Sequence, residues 1–143
     1  SRSIEGLNPL YLPQAKVYDA ACSIGPAAVL APYVDMSELQ ISLSIERDGV
    51  EIFAGSAHAG DMVRDPAELV GVLHGAYTLP AGAWLLTGTS IVPEPNYTAQ
   101  PGDWIGIRID GIGELVNRVK LIQHSEATAL PRLSGSAARR DGK

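Results

Sequence analysis

Two stretches of this chain concentrate side chains that could do chemistry. In Pro9-Leu10-Tyr11-Leu12-Pro13-Gln14-Ala15-Lys16-Val17-Tyr18-Asp19, hydrogen-bonding groups gather just ahead of the apolar run Ile24-Gly25-Pro26-Ala27-Ala28-Val29. Lys16, flanked by Ala15 and Val17, has two readings. It is a partly buried ammonium in need of an anionic partner, or a surface lysine whose stem covers apolar neighbours. The second stretch, Thr87-Gly88-Thr89-Ser90-Ile91-Val92-Pro93-Glu94-Pro95, sets hydroxyls and a glycine directly after an apolar segment. Such a strand end can present backbone N–H groups and the Thr89 hydroxyl to a carboxylate or enolate oxygen. It can equally be a turn with no ligand.

Self-contained catalytic sets are missing from the sequence. There is no G-x-S-x-G elbow, no H-E-x-x-H and no P-loop. His58, His74 and His124 are far apart with unrelated neighbours, and His74 reads as a boundary residue of a helix. The one cysteine, Cys22, has no partner for a disulfide, and no Cys/His spacing fits zinc.

Short elements must position these residues, because 15 glycines and 10 prolines break the chain at close intervals. Leu39 to Arg47 alternates apolar and polar residues, which is a strand with one buried face. Asp48-Gly49 then reads as a hairpin turn into Val50-Glu51-Ile52-Phe53. A second turn is expected at Ala59-Gly60-Asp61. Asp65-Pro66-Ala67-Glu68 carries a helix start, with Asp65 as N-cap, Pro66 at the first position and Glu68 placed to close a capping box. Leu69, Val72, Leu73 and Ala76 form its expected buried stripe, and Gly75 or Leu79-Pro80 its end. Ala83 to Thr87 reads as a buried strand, Trp104 to Ile109 as another after the Pro101-Gly102-Asp103 turn, and Glu114 to Val119 as one after Asp110-Gly111-Ile112-Gly113. The expected class is α+β, mostly β, with roughly five to seven short strands and one or two short helices.

The chain has 143 residues, enough for one domain with a core of its own, and needs neither disulfides nor a structural metal to fold. A formal charge of -5 excludes a field that gathers nucleic acid. No apolar run reaches the roughly 20 residues of a bilayer span. A reducing cytoplasm is the expected setting. The N-terminus has neither an initiator methionine nor the regions of a signal peptide, so a chain beginning partway through a longer protein is expected. Residues 1–124 are read as the folded part and 125–143, with Arg139 and Arg140, as a flexible tail without assigned function.

In order along the chain, several motifs resemble the C-terminal part of the catalytic domain of the fumarylacetoacetate hydrolase superfamily. They are Ser1-Arg2-Ser3-Ile4-Glu5, Lys16, Gly25-Pro26, the Leu39–Arg47 strand with its Asp48-Gly49 turn, Leu86-Thr87-Gly88-Thr89, Pro101-Gly102-Asp103 and Gly111-Ile112-Gly113-Glu114-Leu115-Val116-Asn117-Arg118-Val119. The resemblance covers about residues 1 to 120, and the ordered series is more specific than any one motif. Leu10 to Asp19 with Cys22 and Gly25-Pro26 is similar to the branch of 2-keto-3-deoxy-pentonate dehydratases.

That resemblance implies a mixed β-roll, incomplete in this chain, in an enzyme that handles 2-keto acids with Mg²⁺ or Mn²⁺. It makes Lys16 the active-site lysine, Thr89 the substrate-contacting threonine and Gly88 part of the same substrate contact. Glu5 falls near a glutamine through which the family contacts substrate, and brings a charge there. The family's metal ligands, a Glu-x-Glu pair and an aspartate, are expected upstream of Ser1; Glu46, Asp48 and Glu94 do not match them, so no residue of this chain is assigned to the metal. The implied reaction is loss of water from a 2-keto-3-deoxy sugar acid through an enolate at the metal. Hydrolysis of a C–C bond or isomerisation in a diketo acid such as fumarylpyruvate is the alternative, and a non-catalytic oligomerisation module a second. The implied partners are the N-terminal half of the same enzyme and a second copy in a homodimer.

Overall fold

The computed structural model describes residues 4–30 and 33–122. The remainder, including His124 and the tail expected at 125–143, lies outside the described residues. Four strands form one antiparallel sheet: β1 (Gln40–Arg47), β2 (Val50–His58), β3 (Trp104–Ile109) and β4 (Gly113–Arg118), in the order β2-β1-β3-β4. Two helices accompany it, α1 (Leu12–Lys16) and α2 (Pro66–Ala76). The class is α+β, as the sequence leads one to expect.

Alternation along β1 decides which face is apolar. Ile41, Leu43 and Ile45 point one way and Ser42, Ser44 and Glu46 the other. Ile45 is 2% exposed, between Phe53 of β2 and Ile105 of β3. The Asp48-Gly49 turn has φ of 52° and 78°, the left-handed pair that a two-residue hairpin needs and that Gly49 adopts without strain. β2 continues five residues past Phe53, and the register shifts so that Ile45 faces Phe53 while Glu46 faces Glu51. Ile52 is the extra residue of this bulge, which returns Phe53, Gly55 and Ala57 to the apolar face.

Three expectations are corrected. Among the described residues there are four strands rather than five to seven, and Ala83–Thr87 is not one of them: it joins no sheet, and Trp84 is 67% exposed. Five apolar or β-favouring residues encode a tendency to be covered, but a strand also needs a partner backbone, and no described strand pairs with this segment. The helix begins where expected, with the Asp65 carboxylate accepting from Ala67 N–H at 2.6 Å, but Glu68 pairs with Arg64 at 3.4 Å instead of closing a box. Its stripe is only half covered, with Leu69 and Leu73 intermediate and Val72 and Ala76 exposed. Among the described residues the fully buried apolar set is correspondingly small: Ala15, Ile45 and Ile91.

Arg47 and Asp103 tie the ends of the central strands. Asp103, 1% exposed, takes both Arg47 Nε and Nη2 at 2.8 Å and the N–H of Gln100 at 2.8 Å, with the Tyr97 hydroxyl at 3.4 Å. The guanidinium beside it holds its carboxyl down at about 2. Arg47 also donates to the Thr98 carbonyl at 3.0 Å, so the loop that leads into β3 is held at both ends.

Candidate functional site

Two segments lie over the apolar face of the sheet, one from each edge. At the β2 edge, a Cβ built on Gly55 would stand 2.7 Å from Ile91 Cγ2, so only glycine lets the 88–91 segment approach this closely. At the β4 edge, a Cβ on Gly113 would stand 3.0 Å from Pro26 Cγ, and one on Gly25 3.7 Å from Leu115 Cδ1. Gly55, Leu43, Ile107 and Leu115 are partners in register across all four strands, so both segments cover the same face.

The segment at Ile91 carries Gly88 and Thr89. Gly88 has φ of 86°, a left-handed conformation that a side chain would strain. Thr89 Oγ1 accepts from the Ile91 N–H at 3.0 Å, and among the described residues its own proton meets only the Ile91 carbonyl at 3.5 Å. Its strong bond therefore uses the oxygen as acceptor and leaves the hydroxyl as a donor with a weak internal partner.

The other candidates stand on the N-terminal segment, ahead of Gly25-Pro26. Lys16 ends α1, and its Nζ lies 3.0 Å from Glu5 Oε1. The lysine side chain is 42% exposed and the glutamate 27%. The ammonium and a backbone N–H hold the Glu5 carboxyl below its usual range. Glu5 Oε2 is buried and has no hydrogen-bond partner among the described residues. Glu5 and Lys16 are thus brought together, while Gly88 and Thr89 stand on a separate segment. This pairing was not legible beforehand, because nothing in the spacing of residues 5 and 16 marks them as partners.

The remaining residues with chemistry lie elsewhere. His58 ends β2, with its ring against Gly60, and His74 is in the last turn of α2. Glu46 lies in β1 and Asp48 in the β1–β2 turn, and among the described residues no three His, Cys, Asp or Glu side chains gather to hold a metal ion. Cys22 is an exposed free thiol. On the opposite, polar face an open hollow of about 470 Å³ is lined by Ser42, Ser44, Ser56, Arg108 and Glu114, away from both candidate segments. No helix among the described residues is long and apolar enough to cross a membrane.

A four-stranded antiparallel sheet with two short helices defines an α+β protein, and its candidate side chains stand on two separate segments, Glu5 with Lys16 on one and Gly88 with Thr89 on the other. Residues 3–120 match the family model for the fumarylacetoacetate (FAA) hydrolase C-terminal region, and the chain belongs to this family. It is 51% identical over 123 residues to a probable 2-keto-3-deoxyxylonate dehydratase of Haloferax volcanii, and 37% over 121 residues to the 2-dehydro-3-deoxy-D-arabinonate dehydratase of Saccharolobus solfataricus. These alignments cover 85% and 84% of this chain but only 43% and 41% of those proteins. Among solved structures, the apo form of 2-keto-3-deoxy-D-arabinonate dehydratase is similar at TM-score 0.80 and 36% identity, over 84% of this chain and 43% of that one. The same dehydratase complexed with magnesium and 2,5-dioxopentanoate matches at TM-score 0.78 and 37% identity, over 82% and 42%.

Proposed function

We propose that this chain is the C-terminal part of a lyase that removes water from a 2-keto-3-deoxy sugar acid. The observation that carries the reading is the 51% identity over 123 residues to a probable dehydratase of that class. In this reading residues 1–124 belong to the catalytic domain and 125–143 are a tail. The enzyme works in the cytoplasm as a homodimer, completed by the part of its length that this chain does not span.

Lys16 does the electrostatic work. When a proton leaves C3 of the substrate, negative charge grows on the 2-keto oxygen, and an ammonium already in place stabilises it without reorganisation. Glu5 holds that ammonium in place. Thr89 donates its hydroxyl to a substrate oxygen, and the Gly88 backbone lets the segment turn toward it. The enolate then expels the C4 hydroxyl, which takes up a proton as it leaves, so that the water lost balances the proton removed from C3 and the hydroxyl removed from C4. In this reading Mg²⁺ or Mn²⁺ would be held by carboxylates of the part of the enzyme that this chain does not span, and would supply Lewis-acid polarisation of the 2-keto oxygen.

The test is the intact enzyme with Mg²⁺ and 2-keto-3-deoxyxylonate or 2-keto-3-deoxy-D-arabinonate. Formation of a five-carbon product, with water the only loss, supports the proposal. Release of pyruvate would transfer it to C–C cleavage, and self-association without any turnover would leave an oligomerisation module.

A further inference from the structure

We propose that residues 83–87 are a β-strand without its neighbour, and that a strand from the part of the enzyme this chain does not span pairs with them. The inference rests on the reading above and adds the surface through which the two parts meet.

Everything about this segment except a partner belongs to a strand. Gly82 and Gly88, with φ of 77° and 86°, turn the chain at either end, and the five residues between them are neither helix nor turn. Among the described residues their backbone makes no hydrogen bond to another backbone group, and every residue from 81 to 90 is exposed. Trp84, Leu85 and Leu86 are 67%, 42% and 72% exposed, and successive residues of an extended chain point to opposite sides. Apolar surface is therefore open on both faces, and so is the row of N–H and C=O groups between them. One event closes all three: an added strand meets the backbone groups, and the body it belongs to covers the faces.

Length and geometry choose the occupant. The chain accounts for 43% and 41% of the two dehydratases it is similar to, so in a protein of that length more than half remains to pack against it. A second copy meeting this strand edge to edge would bring a backbone but no cover for the faces, since its own strand is bare in the same way. A folded body of the same chain supplies strand and cover together. Position along the sequence gives the pairing a role. Ile91 seats one side of the Gly88-Thr89 turn against Gly55 of the sheet, and the pairing at 83–87 fixes the other, so that Thr89 is held from both ends.

Amide exchange and photo-cross-linking of the intact enzyme test the pairing. The amides of residues 84–87 should exchange on the order of 10²-fold more slowly than those of an unstructured peptide, in step with β1 and β3. A p-benzoylphenylalanine introduced at position 84 should cross-link within its own subunit, to a peptide outside residues 1–143. Position 86 carries the label if the change at 84 prevents folding. An unprotected segment overturns the proposal. So does a cross-link that doubles the subunit mass on a denaturing gel, which gives the strand to a second copy, or one that falls within residues 1–143. Dehydration of the sugar acid is followed in the same preparation. Turnover with an unprotected segment removes the pairing and leaves the functional reading standing, whereas protection and the expected cross-link without turnover keep the pairing and remove that reading.

Discussion

Arg47 at the end of β1 and Asp103 at the start of β3 form a two-pronged ion pair, both N···O distances 2.8 Å, around a carboxylate that is 1% exposed. The Pro101-Gly102-Asp103 motif thereby acts as a clamp. Its aspartate fixes the loop before β3, and its backbone exchanges hydrogen bonds with Val119, from Gly102 N at 2.9 Å and Val119 N at 2.8 Å.

This clamp sets the acid limit of the fold. The Asp103 carboxyl is held at about 2, below its ordinary 3.8, so its contribution is complete above pH 4 and is lost as the pH falls toward 2. Urea midpoints measured from pH 5 to pH 2 should fall through this window in the native protein. Asp103→Asn should be destabilised at neutral pH by a large share of a small domain's total stability, because it leaves the Arg47 guanidinium without its counter-charge. Its curve should also be flatter across the same window.

Gly55 should tolerate no side chain. With Ile91 Cγ2 only 2.7 Å from a Cβ at this position, Gly55→Ala must push the 88–91 segment off the sheet, at a cost of about 1–3 kcal/mol. Ile91→Ala, which removes Cγ2, combined with Gly55→Ala should cost less than the two single changes added together, a coupling that chemical denaturation of the single and double variants would reveal. Independent losses that simply add would mean the segment is not seated on Gly55.

Replacing Lys16 with Met in the intact enzyme should lower kcat by on the order of 10²–10³, the scale of a lost oxyanion contact. The thermal midpoint should stay near native, because an ion pair with side chains 42% and 27% exposed contributes little to stability. A variant with near-native kcat would remove Lys16 from the chemistry.

Asp65→Ala should cost α2 about 1 kcal/mol of helix stability, since the Asp65 carboxylate accepts from Ala67 N–H. The effect should stay local, because α2 buries no residue fully. Faster amide exchange confined to residues 66–69, with the sheet unchanged and Asp65→Asn near native, is the expected pattern.

Much of the sheet is legible from local signals. The alternation of β1, the Asp48-Gly49 turn and the helix start at Asp65-Pro66 each depend on residues within a few positions of one another, and each appears within a residue or so of its expected bounds. Trp84 shows where such reading stops. Its segment has the composition of a buried strand and joins no described sheet, because cover comes from a partner and not from composition. The bulge at Ile52 was equally hidden, since Ala54-Gly55-Ser56-Ala57 carries too little hydrophobic contrast to mark a face.

The ordered motifs were enough to place the chain in its family, and they put forward Lys16, Gly88, Thr89 and Glu5 as candidates. They were not enough to show that Glu5 grips Lys16, that Ile91 rests on Gly55, or that Asp103 closes on Arg47 across 56 residues. Periodicity, caps and turns are short-range properties written into neighbouring residues, so the sequence by itself determines them. Pairings between distant residues exist only once loops have closed and strands have taken register, because their energy comes from a contact that no local segment can make. In this protein the elements were local choices, and the arrangement of charges around Lys16 was decided by the tertiary structure alone.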